Sequence, residues 1–86
     1  LNNLAWLYAT CEIQSLRDPA RALNLAKLAA QIEPSSYIFD TLAESYFVNA
    51  MYPEAIEASQ RALKLAKENR TYYRGQLEKF RKAGKE

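Results

Sequence analysis

Asp40 and Glu44, four residues apart, are the first pair in the sequence whose types and spacing could do chemistry. On a helix that spacing puts both carboxylates on one face, where they could share a proton as an acid–base pair or present like charge to a partner. The rest of a catalytic set is missing. The 86 residues contain no histidine and one cysteine, Cys11, so this chain can assemble neither a zinc cluster nor a histidine-activated nucleophile, nor an internal disulfide. Cys11 reads as a small apolar residue, since no helix N-terminus or adjacent base is in view to activate it. A Gly-rich phosphate loop and metal-ligand spacing are also lacking. No enzyme activity, metal or cofactor is expected, and the acidic pair reads as a solvated or partner-facing surface.

The elements that position the pair follow from composition and punctuation. The chain is 49% hydrophobic and 26% charged, with 14 Ala and 11 Leu against one Val, four Ile and three Thr, and only 2 Gly and 3 Pro. That balance favours helices joined by short turns over a sandwich or barrel. Asp18 followed by Pro19 opens a helix, and Pro34 stops it, giving 19–32. Ser35 or Ser36 caps a helix over 36–49, Pro53 and Glu54 open one over 53–68, and Asn69 caps a last one over 70–82 that Gly84 ends. With a helix over 1–11, five helices are expected. No run of about 18 apolar residues exists, so no membrane span is expected. The chain starts at Leu1 inside an amphipathic stretch without a charged leader and reads as a piece of a longer, cytoplasmic protein.

Charge is uneven beneath a net value of +2. Residues 1–59 hold 3 basic and 7 acidic side chains, residues 60–86 hold 9 and 3. The basic residues of the last third alternate with acids and lie on several helix faces, which describes a solvated surface better than a nucleic-acid footprint.

Internal repetition is the most informative signal. Leu1, Leu4, Ala5 and Tyr8 return with the same spacing as Phe39, Leu42, Ala43 and Tyr46. Ala22, Leu23, Ala26, Ala29, Ala30 and Ile32 return 33 residues later as Ala55, Ile56, Ser59, Ala62, Leu63 and Leu65. Offsets of 0, 3, 4 and 7 lie on one helical stripe, so each first helix offers large, large, small and large residues to a partner lined with small ones. Two such helices nest antiparallel. The outer face of the second, Leu25, Leu28 and Ile32, stays apolar, so pairs must stack.

This pattern resembles the tetratricopeptide repeat, on Leu1-x2-Leu4-Ala5-x2-Tyr8 with Ala22, Ala29 and Pro34, and on Phe39-x2-Leu42-Ala43-x2-Tyr46 with Ala55 and Ala62. The resemblance implies a single all-α domain over 1–86, a right-handed α-solenoid in which repeat one covers 1–34 with a long inter-helix loop over 12–18, repeat two covers 36–68, and 70–82 is a capping helix. Ala26 and Ser59 stand where the family usually has a large ring. Lys67 replaces the closing proline, which should let the fourth helix run on. Tyr73, Leu77 and Phe80 form one stripe of the cap, expected to cover Ile56, Leu63 and Leu65.

In this family the first helices line a concave groove that binds a protein or peptide partner. The resemblance places Asn2, Asn3, Trp6, Ala9 and Thr10 of repeat one there, with Asp40, Thr41, Glu44, Phe47 and Val48 of repeat two. Chaperone C-terminal tails, which some members clamp with basic and amide side chains, are not expected, because Asp40 and Glu44 would repel a carboxylate. A partner with Lys or Arg beside an apolar residue fits better, unless Arg70 or Arg74 neutralises the acids internally. The alternatives are a structural end of a longer solenoid that self-associates through its first helix and, less favoured, nucleic-acid contact through the last helix. The register carries its own test: Ala43 should lie at a close crossing, so Ala43→Leu should overpack it and cost about 1–3 kcal/mol, measured by thermal or chemical unfolding.

Overall fold

The computed structural model describes Trp6, Ala9 and residues 18–84. These residues are helical apart from the turns that join the helices, with no strand among them. Four helices are complete: α1 (Pro19–Ile32), α2 (Ser36–Val48), α3 (Tyr52–Leu65) and α4 (Arg70–Gly84). Trp6 and Ala9 are helical as well; the remainder of the helix expected over 1–11, with Ala5 and the 12–17 part of its loop, lies outside the described residues.

Local chemistry sets most of the boundaries. The Asp18 carboxylate accepts from the Arg21 backbone N–H at 3.1 Å and Pro19 begins the helix. At the far end Glu33, held away from helical geometry by Pro34, is extended at φ −144°. Ser35 occupies the N-cap position of α2 but its side chain makes no capping bond, and its hydroxyl is buried without a partner among the described residues. The end of α2 is a left-handed turn in which Met51 N–H donates to the Tyr46 carbonyl and Ala50 N–H to that of Phe47, both at 2.9 Å. Ala50 sits at φ 58°, where glycine is usual. Asn49 ties this turn to the start of α1, its Nδ2 donating to Pro19 O at 2.8 Å and to Ser45 O at 2.7 Å.

Four expected bounds move: α2 ends at Val48, one residue before 49, α3 starts at Tyr52, one before 53, and two ends move further. α3 stops at Leu65, three residues before 68, because Ala66 is extended and the Arg70 guanidinium donates to the carbonyls of Leu63 and Ala66 at 3.0 Å each. Asn69, at φ 57°, completes the reversal with its backbone. α4 runs on to Gly84, beyond 82, and there its end lies on the start of α3: a Cβ at Gly84 would meet Ile56 Cδ1 at 3.4 Å and Tyr52 Cβ at 3.5 Å.

α2 is central, packed on α1 and α3, while α4 lies chiefly on α3 and reaches α2 along one edge. Ala22, Ala26, Ala43, Ala55 and Ala62 are fully buried, so helix axes approach closely and the larger side chains Phe39, Leu42, Tyr73, Leu77 and Phe80 fill what remains. Ser59 is also buried, its hydroxyl unpartnered among the described residues. Ile56 and Leu63 pack against this core as expected, but Leu65 stays 46% exposed, outside the cover of α4. On α1, Leu28 and Ile32 are 45% and 68% exposed.

Two substitutions, one to glycine and one away from it, test the backbone argument. Ala50→Gly removes the penalty of a side chain in left-handed geometry and should stabilise by about 0.5–1 kcal/mol net of the entropy glycine adds to the unfolded chain. Gly75 lies mid-helix, where a Cβ would meet nothing within 4 Å, and should gain about 0.5–1 kcal/mol as alanine. Denaturant midpoints read both.

Candidate functional site

The acidic pair becomes the centre of a polar cluster between α2 and α4. Asp40 and Glu44 are only 5% and 8% exposed, so their charges need partners. α4 provides them at one-turn intervals. Tyr72 Oη donates to Asp40 Oδ2 at 2.8 Å, Gln76 Nε2 donates to Asp40 Oδ1 at 3.1 Å and to Glu44 Oε2 at 3.2 Å, and Lys79 Nζ donates to Glu44 Oε1 and Oε2 at 3.1 and 2.8 Å. All four carboxylate oxygens thus accept a hydrogen bond. Lys79 also lies 5.2 Å from the Phe47 ring centre and 4.7 Å from that of Phe80.

Apolar contacts extend the strip towards the end of α2. Phe47 packs between Tyr52 at 5.9 Å and Phe80 at 5.3 Å, both tilted, and Phe80 is wholly buried. Inside the helix, Thr41 Oγ1 donates to Tyr37 O at 3.1 Å and Ser45 Oγ to Thr41 O at 2.9 Å, so these buried hydroxyls are satisfied within α2.

Burial sets the protonation of the cluster. It raises the Asp40 carboxyl above its ordinary 3.8, aided by the charge on Glu44, while hydrogen bonds from Gln76 and Tyr72 and the charge on Lys79 pull the other way. Burial also raises the Tyr72 phenol, and its bond to Asp40 with the two nearby carboxylates raises it further, so Tyr72 remains a donor.

The residues expected to line an open groove are therefore mostly engaged. Asp40, Glu44 and Phe47 share one strip that α4 roofs, while Thr41 is buried with its hydroxyl bonded inside α2. Val48 is half-buried, as is Trp6, and Ala9 is only 1% exposed, leaving it little to offer a partner. Asn2, Asn3 and Thr10 lie outside the described residues. Internal neutralisation of the acids falls to Lys79, with Tyr72 and Gln76, and not to Arg70 or Arg74; Arg70 closes the end of α3. Sequence reasoning missed Tyr72, Gln76 and the pairing of Lys79 with Glu44, for which the available signal was spacing: Phe39 and Tyr46 are followed 34 residues later by Tyr73 and Phe80, which aligns α4 beside α2. Among the described residues no group of three or more His, Cys, Asp or Glu side chains could hold a metal ion, and no helix is long and apolar enough to cross a membrane.

With this geometry established, comparison with known proteins returns no relative: no family model matches the chain, and no curated protein or solved structure matches it significantly.

The sign of the Asp40 effect is testable. A carboxyl with a raised pKa in the folded state binds its proton there before the unfolded chain does, so its contribution favours folding below 3.8 and is lost as pH rises through the raised folded value. Asp40→Asn should remove that loss. The stability of the variant relative to the parent should increase as pH is raised across this window, in denaturant titrations at a series of pH values.

Proposed function

We propose that the chain is a tetratricopeptide-type module, part of a right-handed helical-repeat array, that acts in protein–protein recognition without catalysis and takes a segment carrying Lys or Arg beside an apolar residue. The observation that carries this reading is the seating of α4 on α2. Lys79 and Phe80, a cation next to a ring, sit on Glu44 and Phe47, so the chain itself exhibits the side-chain chemistry this face accepts. Repetition adds support, since the residue pattern of α1 and α3 recurs 33 residues apart, as in stacked repeats.

A foreign segment would lie along the rim of α2 where Phe47 and Val48 are half-buried, using the part of the face that α4 leaves accessible, with the half-buried Trp6 as a further aromatic contact in this reading. Rigid aromatics at such a place supply most of an interface's energy, and charge selects the partner and speeds its arrival. Carboxylate tails of chaperones are disfavoured because Lys79, the cation at this face, is committed to Glu44. Nucleic-acid contact through α4 is the weaker reading, because Arg70 and Lys79 are committed to bonds within the chain.

The test is a matched pair of short peptides that differ in one residue, Lys-Phe against Glu-Phe. Titration into the full chain, followed by Trp6 fluorescence and calorimetry, should show binding of the cationic peptide and none of the anionic one. Trp6→Ala and Phe47→Ala should each weaken that binding by roughly 2 kcal/mol. Equal affinity for both peptides, or alanine variants that bind unchanged with helical content intact, would overturn the reading.

A further inference from the structure

The turn between α3 and α4 runs against the preference of its own sequence. From Leu63 to Arg70 there is no glycine, proline or β-branched residue, and Ala66, Lys67 and Glu68 are strong helix formers. Asn69 aside, propensity would carry α3 on into α4. It is interrupted by three local features: an extended Ala66 (φ −70°, ψ 125°), a left-handed Asn69 (φ 57°), and the Arg70 guanidinium, which occupies the carbonyls of Leu63 and Ala66. The bond from Arg70 to Leu63 is solvent-exposed and residues 67–70 are all exposed, so Ala66, 5% exposed, is the one residue of the turn that burial holds in shape.

If the turn straightens, Tyr52–Gly84 forms one helix on the order of 50 Å long at 1.5 Å per residue. The left-handed Asn69 is then relieved and the interrupted backbone ladder is completed. What is lost is the docking of α4: Tyr73, Leu77 and Phe80 leave the core, and the buried carboxylates of Asp40 and Glu44 lose every partner that α4 supplies. Only a surface with the same donors at the same spacing restores those bonds. The α4 of a second copy has them.

We propose that two copies of this chain exchange α4, each opening at Ala66–Asn69 so that Tyr72, Gln76 and Lys79 of one complete the Asp40–Glu44 cluster of the other. The exchange is reciprocal and closes as a two-fold dimer, with every contact of α4 regained and the strained turn removed twice. The opposing term is the entropy of association, so the dimer is favoured by concentration and by annealing through partial unfolding. The inference concerns the chain's own helix and is independent of whether a foreign segment uses the rim.

The experiment uses the full chain without any peptide, annealed at several hundred micromolar near its thermal midpoint, cooled, and sized by light scattering. Asn69→Ala combined with Arg70→Ala penalises the turn and favours the continuous helix. Asn69→Gly does the reverse. Each change should shift the dimer dissociation constant by at least about tenfold, the first tightening and the second weakening it. A second measurement separates exchange from surface association: Glu44→Lys and Lys79→Glu, monomeric and destabilised alone, should form a stable heterodimer when annealed together, since each then meets the opposite charge at both shared clusters. If the two charge variants do not fold singly, the residue 69 series decides. Monomers throughout, or a dimer indifferent to residue 69 and formed without annealing, would overturn the proposal; neither result bears on peptide binding, which is read separately.

Discussion

Eight consecutive residues of α2, from Ile38 to Ser45, are buried, and that is the constraint from which the rest of the structure follows. A surface helix buries one stripe; this one is enclosed on every side although half of the eight are polar. α1 and α3 cover its apolar positions with alanines. The polar positions need a different solution for each group. Thr41 and Ser45 turn back on their own helix, whereas the two carboxylates, too short to reach solvent, require donors from outside. α4 therefore serves as more than a hydrophobic lid, and its polar edge is matched to α2 residue by residue.

The helix ends illustrate how local and distant causes divide the work. The start and end of α1 were legible to the residue because Asp18, Pro19 and Pro34 act on their immediate neighbours. The end of α3 was not, since its stop is the guanidinium of Arg70 folded back over the last turn, together with a left-handed asparagine that propensity alone does not reveal. For α2 the sequence left Ser35 and Ser36 as alternative caps; Ser35 takes the N-cap position, but its hydroxyl makes no capping bond. The end of α4 differed for a tertiary reason: Gly84 is held in helix beside Ile56 and Tyr52.

The same division applies to the candidate site. That Asp40 and Glu44 share a face, and that the face suits a cation beside an apolar residue, could be read from spacing and charge. Which residues supply that chemistry could not, because Tyr72, Gln76 and Lys79 lie more than thirty positions away and become neighbours only once α4 is placed against α2. Lys79 looked like one of several charges in a basic segment. Its seat against two rings and a carboxylate distinguishes it from Arg81 and Lys82, which point to solvent.

Alanine has no rotamers to lose, so the crossings of α1, α2 and α3 are formed with almost no cost in side-chain freedom. α4 differs, for besides the buried Tyr73, Leu77 and Phe80 it engages α2 through tyrosine, glutamine and lysine side chains that each surrender several torsions when they dock. The molecule consequently holds its helices in two ways: alanine crossings that cost little side-chain freedom among α1, α2 and α3, and longer side chains whose release from the α2 face would restore torsional freedom in α4.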